Sequence, residues 1–248
     1  SIGKKLRLSR IFREDGKALI VAMDHGFLGG PVPGLEKPGK VMKMVIKGGA
    51  DAIMTTAGLI KQFYDVLAGK VGVIWTIPNK KEYVEIAARL GVDAVKVTYF
   101  IKLEEKRKLM EIGDIAAECE KWGMPLLAEI VFIDEKSFKV LHGVEEVKIA
   151  ARCGAEQGAD FVKVAYTKEG FREVVESTPV PVLILGGARM KNDEHVLKVV
   201  KDSIEAGGAG VVFGRNIWEH RNPTAMTKAI ASIIHENATI EEALKILK

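Results

Sequence analysis

The chain of 248 residues holds only two cysteines, Cys119 and Cys153, too few for a disulfide framework or a cysteine-based metal site. Both fall in segments with helical spacing and read as free thiols of a reducing compartment. Aromatic residues are scarce, at 6%, and no dense block of Lys and Arg is interleaved with them, so the footprint of a nucleic-acid partner is missing. No apolar stretch reaches the roughly 18 residues of a membrane-spanning helix, so no membrane insertion is expected. No leader of basic, apolar and small residues stands out either, and the expected location is cytoplasmic. No glycine-rich dinucleotide fingerprint follows the first apolar run. His142, His195, His220 and His235 include no pair with zinc spacing, and Asp24 with His25 alone makes a poor metal site, so neither a metal nor another cofactor is expected. Those four histidines read as surface or packing residues. An excess of one charge sign is also absent. The net charge of +4 is compatible with an anionic, phosphorylated ligand.

What the chain does have is a repeated alternation. Apolar, β-branched runs recur at Leu19–Asp24, Ala52–Thr56, Val71–Ile77, Ala94–Phe100, Leu126–Phe132, Phe161–Tyr166, Val182–Gly187 and Val211–Arg215. Segments with helical spacing separate most of them: Gly39–Lys47, Lys80–Leu90, Leu103–Trp122, Val144–Gln157, Asn192–Ala206 and Thr224–His235. Strand alternating with helix implies parallel strands joined by right-handed crossovers. Eight such units at this length predict an α/β protein of the closed (β/α)8, or TIM-barrel, type, one domain over residues 1–248; an open doubly wound sheet is the runner-up. Gly-Ala-Asp or Gly-Val-Asp precedes a run at Gly49, Gly91 and Gly158, where glycine should end a helix before the chain turns into a strand. The tail, Thr239–Lys248, opens with a capping-box pattern and predicts an added C-terminal helix.

In such a barrel the chemistry belongs at the C-terminal ends of the strands. Lys163 lies inside the apolar sixth run. Burial disfavours a charged amine, and a neutral amine can attack a carbonyl to form a Schiff base; the alternative is a lysine that snorkels to water. The fourth run repeats the pattern, with Lys96 in the same place. If both lysines face inward, each should lower the pKa of the other; alternatively Lys96 is one arm of a structural salt bridge. Glu129, alone in the apolar fifth run, needs Lys163 or Lys96 as a partner and could there move protons. Asp24 and His25 end the first run, as an acid/base or orienting pair or as a loop cap. Gly186-Gly187 and Gly214-Arg215 end the last two runs. Backbone N–H groups and an arginine at that point of a barrel are suited to a phosphate.

Together these motifs resemble the DhnA-type class I aldolases. The matching segments are Met23-Asp24-His25-Gly26, residues 30–36, residues 158–163, residues 179–187, residues 214–218 and the His235-Glu236-Asn237-Ala238 tail, so the resemblance covers essentially the whole chain. Relevant members are archaeal fructose-bisphosphate aldolase, 2-amino-3,7-dideoxyheptulosonate synthase and the thiolase acting on phosphorylated autoinducer-2. The resemblance implies that Lys163 is the Schiff-base lysine, that Asp24 is the strand-one carboxylate, and that Gly186, Gly187, Gly214 and Arg215 hold a substrate phosphate. It implies a lyase acting on a phosphorylated ketose such as fructose 1,6-bisphosphate, in a homo-oligomer, pentamer or decamer. Transaldolase- or thiolase-type transfer on another sugar phosphate is the alternative. The aldolase and the heptulosonate synthase carry an acid/base tyrosine on the fifth strand, and its place falls here on Val131; the thiolase-type member lacks it too. Glu129, with Lys96, is then expected to take over proton transfer. The residues alone also leave open an isomerase using Asp24 and Glu129 without a covalent step, and a phospholigand-binding paralogue without catalysis.

Overall fold

Each of the eight runs forms a strand that pairs in parallel with the next, and the last returns to the first. The computed structural model describes residues 1–248. The strands are β1 (Ala18–Ala22), β2 (Ala52–Thr55), β3 (Gly72–Thr76), β4 (Ala94–Ile101), β5 (Leu126–Phe132), β6 (Phe161–Val164), β7 (Val182–Leu185) and β8 (Gly210–Phe213). The result is a closed eight-stranded TIM barrel. Most strands stop short of the ends expected from the runs. Asp24, Tyr166, Gly187 and Arg215 lie past the last ladder partners, because the backbone there leaves the sheet to form the loops of the mouth.

The expected helices are present as Pro38–Lys47, Glu82–Leu90, Glu111–Trp122, Val144–Glu156, Asp193–Glu205, Pro223–Glu236 and the tail helix Ile240–Ile246, which Thr239 and Glu242 cap reciprocally. Residues 103–110 differ and form a tighter 3-10 segment. Three helical stretches have too little periodicity to stand out in sequence: Ile2–Leu8, the pair Ala57–Gln62 and Tyr64–Leu67, and Phe171–Glu176. No helix is long and apolar enough to cross a membrane.

The Gly-(Ala/Val)-Asp repeat has a second use beyond helix closure. Gly49, Gly91 and Gly158 all take positive φ, 96°, 82° and 98°, where a side chain would be strained. The aspartate two residues on then accepts a hydrogen bond from the first amides of the preceding strand: Asp51 from Leu19, Asp93 from Val73 and Asp160 from Leu126. Each carboxylate meets a cation from the N-terminal segment, Arg13, Arg10 and Lys4 respectively. Between those cations Ile11 is buried, and the Phe12 ring packs edge-on against Phe161 at 5.3 Å. The N-terminal segment therefore plugs the bottom of the barrel, and the C-terminal mouth is left as the way into its lumen.

The lumen changes character from bottom to top. Ile74, Ala94, Leu127 and Phe161 form part of its apolar filling. Two residues further along the same faces stand Thr76, Lys96, Glu129 and Lys163. On four consecutive strands an apolar layer thus gives way to a polar one just below the mouth.

Candidate active site

Strand register brings the polar layer together. Glu129 on β5 stands opposite Lys163 on β6 and opposite Thr98 on β4, and Lys96 on β4 stands opposite Thr76 on β3. Lys163 Nζ lies 2.6 Å from Glu129 Oε1. The other oxygen, Oε2, lies 2.7 Å from Lys96 Nζ. Lys96 in turn donates to Asp24 Oδ2 at 3.0 Å and to Thr98 Oγ1 at 2.8 Å, and Thr76 Oγ1 donates to Asp24 Oδ2 at 2.7 Å. The chain Lys163–Glu129–Lys96–Asp24 crosses the barrel from β6 to β1 as alternating cation and anion. Lys96, Glu129 and Lys163 are each at least nine-tenths buried, so the attraction acts with little screening by water.

The titration behaviour follows from this alternation. Burial pushes the Glu129 carboxyl up, but Lys163 and Lys96 outweigh it and hold the group below the usual carboxylate range. Burial opposes ionisation of Asp24 as well, yet Lys96, Lys163 and Thr76 bring it down to about 2. Lys96 corrects the expectation that the two lysines depress each other. Burial lowers its pKa, but Glu129 and Asp24 raise it further than that, so Lys96 stays an ammonium. A carboxylate placed between the lysines replaces their repulsion by two attractions. Lys96 has three polar partners and Lys163 one, which leaves Lys163 as the amine with freedom to react.

The remaining expected residues gather at the β7, β8 and β1 rim. Gly186 and Gly187 follow β7, and Gly214 and Arg215 follow β8. Asn216 ties the two loops together: its amide donates to the Gly186 carbonyl at 3.0 Å, and its oxygen accepts from the Met190 N–H at 2.8 Å. A side chain at Gly214 would come within 2.8 Å of His25 Cε1 and 3.0 Å of the Ala22 carbonyl, so only glycine fits between β8 and the start of the β1 loop. His25 packs edge-on against Trp218 at 5.2 Å, and the indole N–H of Trp218 is held by the Ala22 carbonyl at 2.9 Å. Burial, then Lys163 and Arg215, lower the His25 pKa against the pull of Asp24, which keeps the ring neutral at pH 7.

Three buried side-chain polar atoms have no hydrogen-bond partner: His25 Nδ1, Thr167 Oγ1 and Arg215 Nε. All three follow C-terminal strand ends, of β1, β6 and β8. Buried polar groups are nearly always satisfied, so three unsatisfied ones on one rim mark where a polar ligand would complete them. Thr167, Thr76, Thr98 and Asn79 were not expected from sequence. Thr98 shares the inward face of Lys96 by two-residue spacing, a signal that was available. Asn79 was not legible. Its side chain pairs with the Thr98 backbone in both directions, at 2.7 and 3.1 Å, as a further strand residue would, and so fixes the strand that carries Lys96. His235 and His220 are more than packing residues. His235 bridges Asp15 and Asp51 at 2.8 Å each, and His220 contacts Asp193 at 3.2 Å.

Comparison with known proteins points the same way. The model of the DeoC/LacD aldolase family matches residues 18–220. The chain is 35% identical to an uncharacterised aldolase of Saccharolobus solfataricus, over all of both chains. It is 33% identical to 2-amino-3,7-dideoxy-D-threo-hept-6-ulosonate synthase of Halobacterium salinarum, over 98% of this chain and 95% of that one. Among solved structures, an archaeal fructose-1,6-bisphosphate aldolase, with its catalytic lysine covalently bound to the carbinolamine intermediate of its substrate, superposes with a TM-score of 0.80. The identity is 28%, over 93% of this chain and 99% of that one.

Proposed function

The chain belongs to the DeoC/LacD family of aldolases, and from that premise we propose that it is a Schiff-base aldolase that breaks or forms a carbon–carbon bond in a phosphorylated ketose, with Lys163 as the nucleophile. The observation that carries this reading is the 2.6 Å contact of Lys163 Nζ with a carboxylate whose other oxygen is held by a second ammonium.

The Lys163 ammonium passes a proton to Glu129, and the neutral amine attacks the ketone carbon. The carbinolamine takes the proton back from Glu129 on its hydroxyl and loses water, leaving an iminium. The iminium carries the same single positive charge as the original ammonium, so the Glu129 carboxylate stabilises both. The electrons of the bond one carbon away flow into the iminium to give an enamine. The hydroxyl on the departing carbon loses its proton to a carboxylate and becomes an aldehyde. Asp24, held ionised with a pKa of about 2, is suited to orient or accept from that hydroxyl. Protonation of the enamine and hydrolysis of the iminium release the second product and restore Lys163. The phosphate is assigned to the backbone N–H groups of Gly186, Gly187 and Gly214 with Arg215, whose unpartnered Nε supports the assignment. His25, neutral and also unpartnered at Nδ1, is assigned to orienting substrate beside Asp24.

A second reading within the same chemistry is favoured by Val131. At the strand-five position it offers no proton, so the enamine would persist and could be passed to another acceptor, as in a transaldolase- or thiolase-type transferase. Borohydride reduction in the presence of fructose 1,6-bisphosphate, dihydroxyacetone phosphate or another phosphoketose should add the substrate mass at Lys163. Lack of an adduct with every phosphoketose would exclude both readings. Thermal stabilisation by these ligands without any adduct would identify a binding protein instead.

A further inference from the structure

The polar layer of the lumen ends abruptly on one side. Directly above Thr98 and Glu129, on the same inward faces of β4 and β5, stand Phe100 and Val131, which are register partners. Val131 is buried, whereas 52% of Phe100 remains exposed at the mouth. The next residue on that face, Lys102, is drawn away to Glu135 at 3.7 Å. Across the mouth, the loop after β1 covers a cavity of about 370 Å³ lined by Met23, Phe27, Pro31, Leu35 and Leu59. Glu36 is the only ionisable residue lining that cavity. Neighbouring cations line other clefts: Lys80 and Lys81 one with Glu111 and Asp114, and Lys37, Lys40 and Lys43 one that adjoins the cavity through Glu36 and also holds Asp65. Lys96 is neutralised by its two carboxylates. The wall directly above the proton-transfer groups is therefore aromatic and aliphatic, and the cation nearest along it, Lys102, is engaged with Glu135.

We infer that the aldehyde released from, or added to, the Lys163 enamine carries no phosphate and has an apolar body, which rests against Phe100 and Val131 and reaches toward the β1-loop cavity. This rests on the Schiff-base reading above and narrows it: a ketose with a single phosphate fits this wall, and a bisphosphate leaves its second phosphate against Phe100 and Val131. Burying a dianion without a partner is strongly unfavourable, whereas an alkyl chain on a half-exposed phenyl ring gains from burial.

The test has two stages. Borohydride with dihydroxyacetone phosphate alone reports the enamine-forming step, through the adduct at Lys163. Aldol addition is then measured with propanal and with glyceraldehyde 3-phosphate as competing aldehydes. We expect kcat/KM to favour propanal by at least about 10-fold, the scale of one to three kcal/mol from a small apolar contact. Phe100→Arg, at a half-exposed position, should shift the ratio toward glyceraldehyde 3-phosphate by at least about 10-fold, and Glu36→Lys should shift it in the same direction by a smaller factor. A normal adduct with a wild-type preference for glyceraldehyde 3-phosphate overturns this inference and leaves the Schiff-base reading standing. So does a ratio that neither variant moves, or an adduct with no addition to either aldehyde. Absence of the adduct removes both.

Discussion

Glu129 is shared between two lysines, one on each neighbouring strand: Oε1 lies 2.6 Å from Lys163 Nζ while Oε2 lies 2.7 Å from Lys96 Nζ. The carboxylate holds Lys96 charged, and in the proposed mechanism it takes the proton of Lys163. Glu129→Gln keeps the volume and one hydrogen-bond acceptor but removes the proton store. The expected result is a fall in kcat of about 100-fold to 10,000-fold, the range of general acid–base catalysis, with KM changed far less. Single-turnover kinetics with the trapped ketose should place the loss in imine formation. An unchanged kcat would take Glu129 out of the mechanism.

Lys163 and Lys96 should separate cleanly by experiment. Lys163→Arg retains a cation beside Glu129 but cannot form an imine, so borohydride adducts should vanish and turnover should fall by about 1,000-fold or more, with the fold intact by circular dichroism. Lys96→Met should still be trapped at Lys163, because the nucleophile remains, while kcat drops for want of the charge that holds Glu129 and Asp24 ionised. If the adduct moved to Lys96 in the wild-type protein, the two roles would be reversed.

Asp24 carries a pH dependence whose sign is fixed by its depressed pKa. The folded value is about 2, below the 3.8 of an unperturbed aspartate. Its stabilising contribution is therefore present above about pH 4 and is lost as the pH falls toward 2. The difference between the two values corresponds to about 2 kcal/mol. Urea unfolding between pH 5 and pH 2 should show this loss, and Asp24→Asn should flatten the slope over that window.

Much of this site was legible because period-2 alternation and buried charge are both local signals. Lys163, Lys96 and Glu129 each stand out as one ionisable residue in an apolar strand, and the glycine–aspartate repeat marks where strands begin. What sequence could not give was the pairing across strands. Whether Glu129 meets one lysine or two depends on a register set by the whole barrel, and the repulsion expected between the lysines ignored the carboxylate between them. Asn79 and Thr167 escaped for a related reason: a loop amide that imitates a strand, and a hydroxyl left unpartnered at the mouth, have no sequence pattern of their own. The N-terminal plug was missed because Ile2–Leu8 is a short helix, and the partners of Lys4, Arg10 and Arg13 lie far along the chain.

That plug should be worth a measurable share of stability. Lys4 is buried between Asp160 at 3.0 Å and Glu120, and Asp160 also accepts from the first amide of β5. Lys4→Ala leaves Asp160 without its cation beside the barrel floor. The expected cost is about 3 kcal/mol, the scale of breaking a buried ion pair from one side. Chemical denaturation should show a lower midpoint with unchanged trapping at Lys163, since the floor and the mouth lie at opposite ends of the barrel. A variant as stable as the parent would show that the plug only decorates the floor.

The floor also contains a titrating group whose effect runs opposite to that of Asp24. Burial lowers the His235 pKa, but hydrogen bonds to Asp51 and Asp15 outweigh it and raise the folded value above the usual 6.5. A raised folded pKa means that the stabilisation is fully present below pH 6.5 and disappears as the pH climbs through the folded value. Neutral His235 can donate to only one of the two carboxylates, so the other loses its hydrogen bond from the ring. Thermal unfolding followed from pH 6 to pH 9 should therefore show a midpoint that falls as the pH rises. His235→Gln should start from the lower midpoint and lose the slope. A wild-type midpoint that rises across this range would mean that the histidine is neutral in the folded protein and that the two aspartates are held by Arg13 and the backbone alone.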